Sequence, residues 1–167
     1  MISQCARATT AAEAKFRIDA PNSQPRNVKV IALDAPSERV AKQLAGRAWS
    51  RAAFFTASAF APRNAHRFSP GWLTDLAGRT KNLIDEIASA DLVVMIAAAG
   101  ESAHAAAIIG EACSVSHVMT TALILGSENT ADEALSKSLA QLRPYALMVV
   151  VANGDEYIED MLTALRA

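Results

Sequence analysis

Short apolar runs in this sequence end in polar residues of the kinds that bind small ligands. The run at 92–98 is followed by Gly100 and Glu101, and the run at 28–33 by Asp34. A glycine permits a tight turn at a strand end, and the free N–H groups of a following helix attract a phosphate or carboxylate. The pattern predicts a site for a small anionic ligand. Its candidate residues are Asp34, Ser37, Gly100, Glu101, Ser102, His104 and Asn153.

Two other interpretations of these residues stay open. The same residue types cap helices, and helix capping alone would place them after each strand. Glu101 also repels an anion or occupies the position itself. As an enzyme, the chain could use Asp34 and Glu101 as facing carboxylates, since one of two such groups takes a raised pKa and can act in acid–base catalysis.

Intact catalytic and cofactor motifs are absent from the sequence. The turn after 28–33 reads Asp-Ala-Pro-Ser-Glu, without the glycines of a dinucleotide-binding turn, and the P-loop pattern is missing. Cys113 and His117 are four residues apart but have no fixed third ligand for a metal. We therefore assign no catalytic residue, no metal and no cofactor. Whether the chain is an enzyme stays open, and the sequence favours a non-enzyme.

The elements that must position these residues alternate along the chain. Amphipathic helical patterns separate the apolar runs, and the clearest lies at about Gly71–Ser89. Such alternation is typical of α/β proteins with right-handed crossovers. We predict a three-layer, doubly wound, Rossmann/flavodoxin-like fold with a five-stranded parallel sheet of order 2-1-3-4-5, or alternatively 3-2-1-4-5. The predicted strands are 28–33, 53–58, 92–98, 119–125 and 146–152.

The domain organisation follows from the same pattern. Residues 1–26 carry no clean periodicity and contain Pro21 and Pro25, which indicates an N-terminal arm or linker. We predict that residues 27–167 form one α/β domain. In an open sheet of this kind, ligands bind beyond the carboxyl ends of the strands, where the strand order reverses. For order 2-1-3-4-5, that crevice lies between the first and third strands, next to Asp34 and Gly100.

Three segments resemble the nucleotide-binding domain of the tubulin/FtsZ GTPase family. The segment 91–112, DLVVMIAAAGESAHAAAIIGEA, is similar to the family's apolar strand, phosphate loop and Ala-rich helix, and QLRPYALMVVVANGDEYIEDML at 141–162 to a later strand. The predicted strand at 28–33 also resembles the first strand of that family. The phosphate loop keeps only Gly100, and the downstream catalytic segment would lie beyond Ala167. The resemblance therefore implies a Rossmann-like relative that has lost the GTP site.

Composition limits the function further. The chain has 167 residues, 51% hydrophobic, with Arg outnumbering Lys 11 to 5 and 36 alanines, typical of a GC-rich bacterial genome. Its apolar runs are far shorter than the roughly 20 residues of a membrane helix. Two cysteines make a poor disulfide framework and favour a reducing, cytoplasmic setting. The loop 63–72 mixes arginines with aromatic residues, but this weak signal and the slightly negative total charge disfavour nucleic-acid binding.

Charge is divided unevenly along the sequence. Residues 1–81 hold 13 Lys/Arg against 5 Asp/Glu, a net +8, and residues 82–167 hold 3 against 12, a net −9. Two functions from different classes follow. The first is binding of a small molecule or nucleotide-type anion at the strand carboxyl ends, without GTPase activity. The alternative is a non-catalytic interaction or assembly protein, a homo-oligomer or a protein partner, that uses oppositely charged ends.

Overall fold

A computed structural model describes residues 25–57, 73–126, 130–152 and 154–167. Three sequence predictions therefore fall outside the described residues: the arm up to residue 24, the basic and aromatic loop up to residue 72, and Asn153. The described part is a mixed α/β fold built on one sheet.

Within the described residues the sheet has seven strands, where five were predicted. In chain order they are β1 (Val28–Ala32), β2 (Ala52–Thr56), β3 (Leu73–Asp75), β4 (Thr80–Lys81), β5 (Leu92–Ala98), β6 (Met119–Leu125) and β7 (Met148–Ala152). They lie side by side in the order β4-β3-β2-β1-β5-β6-β7. The strands from β2 to β7 in that order pair in parallel, whereas β3 is antiparallel to β2 and to β4.

Five α-helices connect the described strands. They are α1 (Ala35–Ala45), α2 (Leu83–Ala88), α3 (Ala105–Val115), α4 (Asp132–Leu142) and α5 (Asp155–Ala164), and a 3-10 turn, Arg143–Tyr145, follows α4. The strand order reverses between β1 and β5. The strand β2 lies on one side of β1, and β5 lies on the other side.

The long helix predicted at Gly71–Ser89 is wrong. A short hairpin, β3 and β4, replaces its first half, and only Leu83–Ala88 is helical. The Asp75 carboxylate accepts hydrogen bonds from the backbone N–H groups of Ala77 and Arg79, and Gly78 takes a φ of +78°, a turn conformation that suits glycine. The Asn82 side chain then caps α2 by accepting from the Ile84 N–H. These turn and cap signals overrode the helical spacing of the leucines.

Hydrophobic residues pack on both faces of the sheet. Along β1, Val28, Val30 and Ala32 belong to a core with α1 and α5. Ile31 faces the opposite side and joins a core with α2, α3 and the end of α4. This alternation follows from the two-residue period of a strand. The central strands are buried on both faces, which explains why β5 reads as an unbroken apolar run.

The two halves of the sequence, which differ in net charge, supply opposite sides of the sheet. All strands on one side, β4-β3-β2-β1, come from residues 28–81, the positively charged half of the sequence. All strands on the other side, β5-β6-β7, come from the negatively charged half. The helix α5 lies near α1 at one point, where Arg47 binds Glu159 with a 2.6 Å ion pair.

Candidate functional site

Asp34 lies at the carboxyl end of β1, at the predicted switch point between β1 and β5. It is the N-cap of α1, where its Oδ1 accepts from the Ser37 N–H at 2.8 Å. Its own N–H donates to the Ser37 Oγ at 3.1 Å, which completes a reciprocal capping box. Ser37 is fully buried and Asp34 nearly so. The structure therefore brings these two predicted residues together, as a helix cap.

The second carboxylate oxygen of Asp34 joins the two central strands. Asp34 Oδ2 accepts from the Ala98 N–H, at the end of β5, at 2.8 Å, across 64 residues of sequence. Both oxygens therefore bind backbone donors within the fold, and this burial needs such partners. Glu101, the other half of the predicted carboxylate pair, is exposed to solvent.

The Gly100 turn after β5 is held against α4. The Gly100 N–H donates to Ser138 Oγ at 2.9 Å, and the Lys137 Nζ donates to the Gly100 carbonyl at 2.7 Å. Three residues on, the Ala103 N–H donates to the Gln141 Oε1 at 2.9 Å. Gly100 has a φ of +84°, and a Cβ there would meet the Ala134 Cβ at 3.1 Å. Both the turn and the close helix approach thus require glycine.

Sequence reasoning missed the residues of α4 that hold this turn. Ser138 is fully buried on a helix whose neighbours Leu135, Leu139 and Leu142 form the apolar stripe. A small hydroxyl residue within such a stripe needs a buried partner, and this was the available signal. Its partner, a backbone N–H 38 residues away, could not be identified from sequence.

The remaining predicted site residues stay at the surface. Ser102 and His104 are exposed. His104 is the N-cap of α3 but makes no side-chain cap hydrogen bond. Asn153 lies outside the described residues. The structure thus separates the predicted set into a buried cap, a glycine turn packed on α4, and exposed side chains before α3.

A pocket of about 710 Å³ lies at the opposite, amino edge of the sheet, between the end of α3, the start of β6 and the segment 143–147. Its lining includes Cys113, His117 and Arg143. Burial raises the pKa of the Cys113 thiol to about 12, so the thiol stays protonated at neutral pH and is a poor nucleophile. Within the described residues, no cluster of three His, Cys, Asp or Glu side chains could hold a metal ion.

His117 serves a structural purpose beside that pocket. It follows α3 with a φ of +55°, in the left-handed region that usually holds glycine. The His117 N–H donates to the Ser114 carbonyl, and the Val118 N–H to the Cys113 carbonyl. Those two bonds form a Schellman-type helix end, and they place Val118 at the start of β6.

The free edge of β7 contrasts with both of these regions. Among the described strands, β7 pairs only with β6. The Gly126 N–H donates to the Ala152 carbonyl at 3.0 Å, so Ala152 turns its backbone groups towards β6. Because backbone groups alternate along a strand, Val149 and Val151 turn their N–H and C=O outward. The edge therefore presents backbone donors and acceptors with no described strand to bind them.

The side chains along this edge are apolar and partly exposed. The segment 147–151 reads Leu-Met-Val-Val-Val, without charge, proline or glycine. Leu147 is 80% exposed, Met148 43% and Val151 38%. Natural edge strands are usually protected by charges, proline, bulges or covering elements. An apolar strand that lacks the first two is a candidate surface for another chain.

None of the described helices has the length and apolarity that crossing a membrane requires.

Comparisons with known proteins give no family. No protein-family model matches the chain, and no curated protein matches it either. Among solved structures, translation elongation factor SelB from Methanococcus maripaludis, in complex with a GTP analogue, aligns at TM-score 0.48 and 10% identity. That alignment covers 85% of this chain, which spans 34% of the SelB chain. A protein described as pilus assembly-related, from Burkholderia pseudomallei K96243, aligns at TM-score 0.43 and 19% identity, over 84% of this chain and 89% of that one.

Proposed function

We propose that this chain is a non-catalytic assembly module that binds another protein chain along the free edge of β7. The observation that carries the proposal is the uncharged apolar strand with outward backbone groups at Val149 and Val151. Strand addition uses such groups for affinity and the alternating side chains for specificity. In this proposal the body of the protein is a doubly wound, three-layer frame that holds the edge strand rigid.

The hydrogen bonding of the predicted ligand site also favours an assembly function over ligand binding. Asp34 directs both carboxylate oxygens to backbone N–H groups of the fold, and the Gly100 peptide has both its N–H and its carbonyl bound by α4. A catalytic carboxylate needs a free oxygen for the substrate, and a phosphate-binding turn needs free N–H groups. These residues support the sheet instead.

In-cell photo-cross-linking tests the proposal. The photoreactive amino acid p-benzoylphenylalanine is placed at Leu147 on the β7 edge, and at Ile84 on α2 as the matched control. Both side chains are exposed and apolar, at 80% and 47%. We expect protein adducts from position 147 and none from position 84. Absence of adducts at 147, or equal adducts at both positions, would overturn the proposal.

A second candidate function is binding of a small anion at the start of α3. The observation that favours it is the lack of a side-chain cap at His104, next to the exposed Ser102. This position also follows the turn that the tubulin/FtsZ resemblance relates to a phosphate loop. Thermal denaturation with phosphate and nucleotides tests it: we expect a rise in Tm that His104→Ala reduces. Equal Tm values with and without every anion would exclude it.

A further inference from the structure

We propose that the pocket at the amino edge of the sheet binds an apolar α-amino acid as its zwitterion. The proposal does not depend on the docking of a chain at the β7 edge. Three properties of the pocket carry it. Its walls are fixed within the fold, much of its lining is apolar, and it contains two opposite charges that form no ion pair in the described part of the chain.

Two close contacts fix the walls of the pocket. At Gly110 on α3, an added Cβ would lie 2.5 Å from the Cβ of Tyr145, so the helix packs directly on the segment 143–147. Thr120, in β6, donates from its Oγ1 to the Tyr145 carbonyl at 3.1 Å and accepts from the Leu147 N–H at 3.3 Å. The pocket is therefore formed without a ligand, and a preformed site loses little conformational entropy on binding.

Apolar side chains line much of this pocket. They belong to Val118, Met119, Pro144, Ala146 and Leu147. The buried Cys113 thiol also lines the pocket and adds no charge, because burial raises its pKa to about 12. The volume of about 710 Å³ lies within the roughly 300–1,000 Å³ that is typical of small-molecule sites. Such a lining favours a ligand whose bulk is an aliphatic or aromatic group.

Two exposed side chains of opposite charge also line the pocket. Glu111 lies on α3, and Arg143 lies in the 3-10 turn after α4. Among the described residues, neither side chain forms an ion pair or a hydrogen bond, with the other or with a third residue. A guanidinium binds a carboxylate through two parallel hydrogen bonds. A glutamate carboxylate accepts hydrogen bonds from an ammonium group.

A ligand with a single charge would satisfy only one of these two side chains. A carboxylate without an ammonium group would bring a negative charge near Glu111, and an amine without a carboxylate would bring a positive charge near Arg143. Like charges brought together at an interface cost free energy. An apolar amino acid carries both charges on one carbon beside an apolar side chain. These three parts match the guanidinium, the carboxylate and the apolar lining of the pocket.

Isothermal titration calorimetry of the purified full chain is the first measurement, with L-leucine and L-phenylalanine as the probes. Three control ligands each lack one part: L-leucinamide lacks the carboxylate, N-acetyl-L-leucine lacks the ammonium group, and glycine lacks the apolar side chain. We expect saturable binding of at least one probe, and binding at least about tenfold weaker for each control. Binding of neither probe at about 10 mM, or equal binding of a control, would overturn the proposal.

Charge variants identify which group of the ligand each side chain binds. Arg143→Gln should weaken L-leucine binding by at least about tenfold and leave the weaker binding of L-leucinamide unchanged. Glu111→Gln should weaken L-leucine binding in the same way and leave that of N-acetyl-L-leucine unchanged. The matched controls are Arg39→Gln on α1 and Asp160→Asn on α5, exposed side chains that pack with the other face of the sheet. These two should bind L-leucine as the unchanged chain does.

A variant that fills the pocket separates this site from binding elsewhere on the surface. Ser114 is exposed and lines the pocket, so Ser114→Trp should occupy its volume while the fold is kept. We expect loss of L-leucine binding with a circular dichroism spectrum and a Tm close to those of the unchanged chain. L-leucine binding that survives Ser114→Trp, or that neither charge variant weakens, would place the ligand elsewhere and overturn the proposal.

Discussion

The carboxyl ends of β1 and β5 and the free edge of β7 differ in how their polar groups are satisfied. At the first region, Asp34 and Ser37 bind each other, and Asp34 also binds the end of β5. At the second, the backbone groups of Val149 and Val151 have no described partner, and the side chains around them are apolar and exposed. The polar groups of the first region already have hydrogen-bond partners within the fold. The backbone groups of the second region have no described partner.

That difference shows where interaction capacity lies in this fold. Polar residues after a strand are often required by the helix that follows, since its first N–H groups lack partners within the helix. An edge strand has the converse property, because its backbone stays available whatever its side chains are. Mutations in the two regions should therefore separate cleanly into stability effects and association effects.

The largest expected effect is on the Asp34 clamp, the pair of hydrogen bonds that the Asp34 carboxylate accepts from the Ser37 and Ala98 N–H groups. Asp34→Ala leaves the N–H groups of Ser37 and Ala98 without their partner, and each buried unsatisfied donor costs about 1–3 kcal/mol. We expect the free energy of unfolding to fall by about 3 kcal/mol in urea denaturation. Asp34→Asn keeps one acceptor oxygen and should lose roughly half as much. If Asp34→Ala changed stability no more than a surface substitution, the first region would not be closed by this side chain.

Substitution of Gly100 should have the next largest effect. Gly100→Ala forces a side chain into the left-handed region and places its Cβ 3.1 Å from that of Ala134. The matched control is Gly78→Ala, with a similar φ of +78° and no atom within 4 Å of the new Cβ. We expect losses of about 2 and about 1 kcal/mol by thermal or urea unfolding. Equal losses would show that α4 yields to the contact.

Removal of the Ser138 hydroxyl should have a smaller effect. Ser138→Ala deletes the acceptor of the Gly100 N–H but keeps the buried helix stripe, so we expect a loss of about 1 kcal/mol. Lys137→Ala on the same helix removes only the donor to the Gly100 carbonyl, from an exposed position, and should cost less. Chemical denaturation of both variants ranks the two contacts. The reverse ranking would contradict the role assigned to Ser138.

The smallest stability effect is expected at the β7 edge. Leu147→Ser changes a side chain that is 80% exposed, so the free energy of unfolding should move by no more than about 0.5 kcal/mol. The same variant should weaken binding of the partner chain proposed for this edge, measured by co-purification from cells. A large loss of stability without any change in association would reverse the contrast between the two regions.

The sequence predicted the strongly patterned parts of the fold. The apolar run at β5 and the alternation of strands and helices indicated an α/β protein, because burial on both faces requires continuous hydrophobicity. It failed at residues 71–89, where leucines at helical spacing coincide with the Asp75 turn. Local turn chemistry determined the structure of that segment. The helical spacing of apolar residues carries no information about such a turn.

The position of the candidate site was predictable from the sequence, but the hydrogen-bond partners of its residues were not. Asp34 does lie at the end of β1, as the pattern indicated. Its hydrogen bond to Ala98 depends on two strands that are adjacent in space and 64 residues apart in sequence. Likewise, Ser138 binds Gly100 only because α4 packs over the turn. Such pairings arise from tertiary packing, which neither residue types nor their spacing record.

The Asp34 clamp has a consequence for the way the chain acquires its structure. The cap of α1 shares one carboxylate with the end of β5, so the first turn of that helix gains its full stability only when β5 is in place. Native-state hydrogen exchange should therefore report the Ser37 and Ala98 amides opening in one cooperative unit. The start of α1 is thereby coupled in stability to the end of a strand that lies 64 residues later in the sequence.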